Sequence, residues 1–361
     1  MDLPLFLIAK LMRWFEQRRR EMPWRGSDNP YHIWVSEMML QQTQVAAVEK
    51  YYPKWIARFP DVFSLAQAPL EEVLKVWEGL GYYTRARNFH KGAKYIAERA
   101  ASRRQPFPNT YEDWLKVPGV GPYTAAAVSS IAFRYPAAVL DANVLRVMAR
   151  LFCFERDTAS PVLRRDLFAC MNSAFYDYHP GWVNQAWMEL GSLQCKPKPD
   201  CSACPLKEFC CAFSRNAVAE FPRKKAKKKI PVRTGAAFII CRRDRFLLLC
   251  RPAEGFLGGL WEFPGYTLRE KDTDGAAFRN FVQENHLQPE AQEMTRIRHT
   301  YSHFHQDMYI YRALLNESWN NPAWTAVCWA DRKIADALPL TGLARKILCF
   351  LQTPDYLRQR L

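Results

Sequence analysis

The chain of 361 residues is long enough for two domains with separate cores, and its hydrophobic content of 49% argues against wholesale disorder. Its 51 Lys and Arg residues against 36 Asp and Glu residues give a formal net charge of +15. This charge favours a polyanionic partner, either nucleic acid or an acidic membrane face, over a merely basic soluble protein.

The first twenty residues predict an amphipathic helix rather than a secretory leader. Their apolar run, from Leu3 to Ala9, is short, and no small-residue cleavage site follows it. One face of the predicted helix carries Leu7, Leu11, Trp14 and Phe15. No run in the chain approaches transmembrane length, so we expect a soluble protein with no membrane partner.

Helical periodicity dominates residues 1–213. The predicted helices run from about Ile33 to Arg58, from Leu70 to Leu80 and from Thr84 to Ala101. Gly79 and Gly81 are typical of a helix C-terminus. Thr110 with Asp113 resembles a capping box that opens a further helix.

Residues 117–124 predict a glycine hairpin between two helices. Gly119 and Gly121, on either side of Val120, allow backbone conformations that a β-carbon forbids, and they leave amide N–H groups uncovered. Pro122 suits the first turn of the next helix, whose N-terminus attracts a phosphate. The alternative is a tight turn between packed helices, but the net charge and an acid downstream favour the phosphate site.

Two carboxylates are candidates for chemistry. Asp141 stands where an N-cap residue belongs, and capping would hold its side chain rigidly. Glu37 has strongly apolar neighbours, so an inward orientation would raise its pKa, whereas a solvent-facing glutamate is the alternative. Two acids in unlike surroundings suit glycosidic cleavage, in which one protonates the leaving group and the other stabilises a cationic sugar.

The cysteines are concentrated in one loop. Five of the eleven lie between Cys195 and Cys211, which does not fit a short secreted disulfide scaffold and predicts an intracellular chain with free thiols and one ligand cluster. The candidate ligands, separated by five, two and five residues, are Cys195, Cys201, Cys204 and Cys210. Four ligands in a short loop favour an iron–sulfur cluster over zinc, which usually pairs two knuckles across a longer gap.

The composition changes near residue 214. A basic run, Arg223–Lys229, predicts an exposed linker and could also act as a phosphate-binding strap. Beyond it we predict strands at 236–241, 246–251, 308–315 and 326–329, a glycine-rich loop at 255–265 and helices at 276–287 and 342–351. This pattern predicts domains at 1–213 and 234–361, the second of α+β class, joined by a linker at 214–233.

These motifs together resemble the MutY-type adenine DNA glycosylases of the endonuclease III superfamily. The segments that carry the resemblance are Pro23–Trp24, Ser36–Val45, Gly79–Tyr83, the hairpin, Leu140–Val144, the cysteine loop, Gly258–Pro264 and His299–Phe304. The resemblance implies a mainly α N-terminal helix-hairpin-helix glycosylase domain with an iron–sulfur cluster loop. It also implies an α+β Nudix-like C-terminal domain.

The resemblance further implies that the chain removes adenine paired with 8-oxoguanine or guanine in double-stranded DNA. Glu37 matches the general acid that protonates adenine N7, and Asp141 the carboxylate that stabilises an oxocarbenium-like sugar. Asn143 matches a residue that orients this centre. Trp24, Arg25 and Glu189 match residues of the adenine pocket. Gln42 and Tyr82 match residues that are inserted into the base stack, and Ser302 and His303 match the loop that probes 8-oxoguanine.

Three departures refine the expectation. Tyr123 stands where bifunctional relatives carry a lysine that forms a Schiff base, so the resemblance implies a monofunctional glycosylase with Tyr123 assisting at the sugar. The four cysteines match the ligands of a 4Fe-4S cluster, although the first gap is one residue shorter than the six expected. The segment Ala276–Glu284 contains one glutamate, too few for the metal site of a Nudix hydrolase, so this domain should recognise rather than hydrolyse.

We expect a monomer, cytoplasmic and nucleoid-associated if the source is bacterial. Two other functions fit parts of the sequence. An iron–sulfur redox sensor that binds DNA without excision would use the cluster and the charge. A nucleotide pyrophosphohydrolase would use the C-terminal domain, against the missing glutamates.

Overall fold

A computed structural model describes residues 3–101, 105–223, 230–268, 274–290, 293–315, 319, 321 and 323–352. The chain divides into two compact units, Met1–Gln67 with Asn88–Lys227 and Ala68–Arg87 with Lys228–Leu361. We call them the first and second units. Residues 224–229, six of the seven in the predicted basic run, lie outside the described residues. No described helix is both long enough and apolar enough to cross a membrane.

The first unit is helical. Its helices are α1 (Leu5–Arg18), α2 (Pro30–Leu40), α3 (Val45–Arg58), α4 (Val62–Gln67), α6 (Thr84–Ala100, from Asn88 onward), α7 (Tyr111–Trp114), α8 (Pro122–Phe133), α9 (Ala142–Phe152), α10 (Pro161–Asn172), α11 (Pro180–Leu193) and α12 (Cys211–Ser214). Helix α1 buries Leu7, Leu11 and Phe15 against α9, α10 and α11, which confirms its predicted apolar face.

The single helix predicted from about Ile33 to Arg58 is wrong, because α2 ends at Leu40 and α3 begins at Val45. Between them Gln42 has a φ of +57°, in the left-handed region that interrupts a right-handed helix. The apolar pattern did not mark this break because nearly every residue of α2 from Tyr31 to Met39 is buried. Glu37 lies on this buried helix.

The predicted hairpin joins α7 to α8. Gly119 has a φ of +79°, and a β-carbon there would lie 2.4 Å from Cβ of Asn88, so both conformation and space require glycine. Gly121 differs from the prediction, because its φ of −97° is open to any residue and nothing lies within 4 Å of a β-carbon built on it. The oxygen of Thr110 accepts a hydrogen bond from the Asp113 N–H, which confirms the predicted N-cap of α7.

The second unit has an α+β fold, as predicted. Its strands are β1 (Val232–Arg242), β2 (Arg245–Cys250), β3 (Trp261–Glu262), β4 (Gly265–Thr267), β5 (Leu287–Pro289), β6 (Thr295–Thr300), β7 (His305–Leu315) and β8 (Ala326–Ala330); its helices are α5 (Leu70–Val76), α13 (Asp274–Glu284), α14 (Arg332–Ala337) and α15 (Gly342–Phe350). Strand β1 pairs in parallel with β7 and antiparallel with β2 and β4. The prediction missed β6, an edge strand whose alternate residues are exposed.

Candidate active site

The first unit encloses a cavity of about 370 Å³, which we call the inner cavity. It lies between α2, α8, α11 and the loop that follows α1. Seven residues predicted from the sequence line it, namely Trp24, Arg25, Glu37, Tyr123, Asp141, Asn143 and Glu189. Residues as much as 165 positions apart in the chain are therefore brought to one site.

Glu37 and Tyr123 form one wall of the inner cavity. The Tyr123 hydroxyl donates a hydrogen bond of 2.5 Å to Oε2 of Glu37. Burial raises the pKa of Glu37 to about 7, although the Tyr123 bond lowers it. Burial, and then the nearby Glu37, hold the pKa of Tyr123 well above its usual value, so Tyr123 is a neutral donor. This pair can retain and deliver a proton near neutral pH.

Asp141 caps α9 and is held from two sides. Its Oδ1 accepts from the Val144 N–H at 2.7 Å, and its Oδ2 accepts from Nδ2 of Asn143 at 3.0 Å. Burial raises the pKa of Asp141, against these two hydrogen bonds, which lower it. The predicted N-cap is confirmed, and the carboxylate is fixed where it can face a developing positive charge.

Arg146 connects this carboxylate to the start of the cysteine loop. Its Nη2 donates to Oδ1 of Asn143 and to the Gly191 carbonyl, and its Nε donates to the Cys195 carbonyl, each at 2.8 Å. The sequence reasoning missed Arg146, although its i+3 spacing from Asn143 on one helix was a usable signal.

Glu189 also lines the inner cavity and is bound by two cationic side chains. Arg20 donates to it from the backbone N–H at 2.9 Å and from Nε at 2.8 Å and Nη2 at 2.9 Å. Nη2 of Arg25 adds a bond of 3.1 Å. Burial favours a higher pKa, but the bonds from Arg20 and the charge of Arg25 outweigh it, and the pKa of Glu189 is lowered. Arg20 was not predicted, because no local pattern links it to a residue 169 positions away.

A second cavity of about 1070 Å³, the hairpin groove, lies beside the inner cavity in the same unit. Gly119, Gly121 and Gln42 line it together with Arg164 and Arg165, two cations that the sequence reasoning did not select. Val120 is buried and does not line the groove. The residues that line both cavities are Leu40, Thr43, Tyr123, Asp141 and Asn143. Asp141 and Tyr123 thus stand at a neck between the groove and the inner cavity.

Tyr82, Ser302 and His303 belong to the second unit and are not among the residues that line the inner cavity. Tyr82 is 42% exposed in a left-handed turn, with the Arg85 guanidinium 5.3 Å from the centre of its ring. Ser302 and His303 are exposed neighbours after β6, and their side chains lie 3.1 Å apart.

The four predicted cysteine ligands line one small cavity of about 20 Å³, beside Arg150. Nη1 of Arg150 lies 3.3 Å from the Cys195 sulfur, and burial followed by the neighbouring Cys195 raises the pKa of the Cys201 thiol. Four convergent thiols with one guanidinium suit an anionic, thiolate-ligated cluster. Within the described ranges, no group of three or more His, Cys, Asp and Glu residues is placed to grip a single metal ion.

The expectation of free thiols outside the cluster is wrong for Cys153. It forms a disulfide with Cys211, at a Cα–Cα distance of 5.8 Å. Both cysteines pack with Ala212 and Phe221 in a small core where α9 ends against α12, which brings them within bonding range. Because Cys211 is bonded, the four predicted ligands are the free cysteines that remain in the 195–211 loop.

Comparison with known proteins finds two family matches along the chain. Residues 35–167 match the HhH-GPD superfamily of base excision DNA repair proteins, and residues 235–349 match the NUDIX domain. The solved structure of a thermostable thymine-DNA glycosylase is similar at 26% identity and a TM-score of 0.53, over 58% of this chain and 96% of that chain. The predicted fold class is confirmed.

Full-length relatives carry a common description. An adenine DNA glycosylase of Buchnera aphidicola subsp. Baizongia pistaciae (strain Bp) is 33% identical over 327 residues, covering 90% of this chain and 87% of the relative. An adenine DNA glycosylase of Arabidopsis thaliana is 36% identical over 313 residues, covering 75% of this chain. Since the match covers 49% of the Arabidopsis protein, the chain spans about half of that relative's length.

Proposed function

We propose a function for this chain from the premise that it belongs to the adenine DNA glycosylases, hydrolases of base excision repair. In this proposal the chain hydrolyses the N-glycosidic bond of adenine paired with 8-oxoguanine or guanine in duplex DNA. The observation that carries it is the pair of acids in one cavity, Glu37 with a pKa of about 7 and Asp141 fixed at a helix N-terminus.

Glu37 is the general acid of the proposed reaction. A carboxyl group with a pKa near 7 is about half protonated at neutral pH, whereas an ordinary glutamate is almost fully ionised there, and it still gives up its proton readily. Because Tyr123 donates to Oε2, Oε1 is the oxygen left to carry the proton to adenine N7. Protonation turns the base into a better leaving group, and a positioned acid of this kind contributes about 10²–10⁴-fold to the rate.

Asp141 stabilises the sugar that the departing base leaves behind. As the glycosidic bond breaks, positive charge develops on the deoxyribose, and a fixed carboxylate lowers the energy of that state. Asn143 orients this carboxylate through its bond to Oδ2. Tyr123 is a phenol and cannot form the imine that a lysine forms, so the proposal excludes strand cleavage through a Schiff base.

The hairpin and two wedges would deliver the adenine. Backbone N–H groups around Gly119 and Gly121, at the N-terminus of α8, suit a DNA phosphate, and Arg164 and Arg165 add positive charge to the groove. Gln42 and Tyr82 would fill the stack when the nucleotide flips, which offsets a cost of a few kcal/mol. In the second unit, Ser302 and His303 would contact 8-oxoguanine.

The cysteine loop would hold a 4Fe-4S cluster through Cys195, Cys201, Cys204 and Cys210. Such a cluster would supply a structural anchor for the loop and an electron-transfer centre. The chain's own contribution is Arg150, which donates to the Lys196 and Pro197 carbonyls and holds the loop against α9. A monomer in the cytoplasm, associated with the nucleoid if the source is bacterial, completes the proposal.

A single-turnover excision assay tests the proposal on duplexes with adenine opposite 8-oxoguanine, guanine or thymine, with alkali added to reveal abasic sites. We expect adenine release opposite 8-oxoguanine and guanine, and loss of release in Asp141→Asn with DNA binding retained. Strand cutting without alkali would contradict the role of Tyr123. Unchanged activity in Asp141→Asn would instead favour a DNA-binding protein without excision.

The role of Ser302 and His303 has its own test. We expect the double variant Ser302→Ala/His303→Ala to lose preference for 8-oxoguanine over guanine while it retains the excision rate opposite guanine. An equal loss on both duplexes would place the two residues outside base recognition.

A further inference from the structure

The inner cavity extends well beyond the two acids. Tyr123 lines it from the first turn of α8, and Ile131, Ala132 and Arg134 line it from the last turn and C-cap. Tyr123 and Arg134 are eleven positions apart along the helix, which corresponds to about 16 Å. The cavity therefore runs along α8, away from the hairpin groove.

Helix α11 lines the same cavity in the opposite sense. The β-carbon of a side chain at Gly181 would lie 2.5 Å from Cα of Ile131, so the start of α11 packs on the end of α8. His179 and Trp182 line the cavity there, whereas Glu189 lines it two turns later, near the acids. The cavity therefore has an end that is remote from Glu37 and Asp141, where α8 finishes and α11 begins. We call it the far end; its lining residues include Asp28, Arg134, His179 and Trp182.

The far end is open to solvent and lined for a flat ring. Trp182 is 49% exposed, although it belongs to the cavity wall. Its ring stacks on His179, with centroids 5.7 Å apart and planes inclined by 15°. Nδ1 of His179 accepts a bond from the Gly181 N–H, so the ring is neutral and its Nε2 is a donor. Asp28 and Arg134 add an acceptor and a donor, which suits the edge of a purine.

We propose that free adenine leaves the inner cavity through this far end, where the His179–Trp182 stack forms a transient binding site for the base. The inference rests on the proposed function, because it concerns the product of that reaction. DNA held in the hairpin groove covers the neck at Asp141 and Tyr123. A second opening lets the base depart while the abasic strand remains bound.

The test measures adenine entry into the wild-type protein bound to a duplex that carries a tetrahydrofuran abasic analogue opposite 8-oxoguanine. The analogue occupies the groove and leaves the base site empty. Stopped-flow fluorescence follows association of free adenine with and without the duplex. We expect the association rate constants to agree within about twofold. A slowing of tenfold or more by the duplex would overturn the proposal, since the neck would then be the route.

Variants of Trp182 test the binding site itself. We expect Trp182→Ala to weaken adenine binding about tenfold by equilibrium dialysis, within the range of aromatic–base stacking, and Trp182→Phe to restore most of it. Phe63→Ala is the matched control, because Phe63 is 42% exposed and lines neither cavity. Equal affinity in Trp182→Ala and the wild type would overturn the site.

The outcomes separate this inference from the proposed function. If the wild type releases adenine from DNA but the bound duplex blocks adenine entry, the proposed function stands and the far-end route fails. If the wild type neither releases nor binds adenine, both fail together.

Discussion

Two buried carboxylates line the inner cavity, and their pKa values move in opposite directions. Glu37 is 5% exposed and its pKa rises to about 7, whereas Glu189 is 2% exposed and its pKa falls. Burial acts in the same direction on both and favours a higher pKa, so it does not explain why the pKa of Glu189 falls. A neutral phenol contacts Glu37, while two guanidinium groups contact Glu189. The contacting side chain decides whether a buried carboxyl group keeps its proton. Glu37 can therefore supply a proton, while Glu189 remains an anion.

The largest expected effect comes from removing the acidic group of Glu37. Glu37→Gln removes the transferable proton, so we expect the single-turnover excision rate to fall about 10²–10⁴-fold. The excision rate should fall less in Glu189→Gln, because this change removes a charge used in binding rather than the general acid. DNA affinity, measured by anisotropy, should remain within a few-fold in both variants. An equal loss in the two variants would contradict the different roles of Glu37 and Glu189.

Glu37→Gln should also stabilise the fold. The folded pKa of Glu37 is raised from 4.5 to about 7, so the native carboxyl destabilises the protein progressively as pH rises from about 4.5 to 7. At pH 8, Glu37→Gln should therefore raise the free energy of unfolding by on the order of 3 kcal/mol. The gain should disappear near pH 4. Urea unfolding at both pH values measures it, and an equal gain at both would contradict the assignment.

The pH dependence of the wild type sharpens the comparison. Excision requires protonated Glu37, so we expect the rate to fall about tenfold per pH unit well above pH 7. Tyr123→Phe removes a hydrogen bond that lowers the pKa of Glu37, so the midpoint should move to higher pH. Single-turnover rates between pH 5 and 9 test this, and a downward shift would show that Tyr123 acts otherwise.

The smallest expected effect comes from weakening the ion pairs of Glu189. Arg20→Met removes two of the bonds that lower the pKa of Glu189, and we expect an excision rate lower by about tenfold, or 1.4 kcal/mol. The loss should grow as pH falls, because Glu189 then gains a proton more readily. Arg25→Met removes a single bond and should cost less. A loss independent of pH would indicate that Arg20 acts mainly through packing.

The sequence supported some of the site well because those features are local. Asp141 caps the helix that begins one residue later, and the positive φ of Gly119 belongs to a short turn between two helices. The close approach of Asn88 to Gly119 is a long-range contact that the sequence did not show. In the second unit the prediction covered β1, β2, β7 and β8. It missed β3, β4 and β5, which are only two or three residues long, and β6, whose alternate residues are exposed. The prediction of one long helix across Gln42 failed because a fully buried helix has no polar face to mark its end.

What the sequence by itself determined about this protein is its chemical inventory. It provided two acids, a phosphate-binding turn, a phenol in place of a lysine and four cysteines in one loop, since these are matters of residue type and short spacing. Only the tertiary structure decided how each group titrates and what it faces. The Arg20–Glu189 pair spans 169 positions, and the far end at Trp182 exists only because α8 and α11 pack antiparallel. Desolvation and charge pairing depend on such packing, so the roles of Glu37 and Glu189 diverge only in the folded chain.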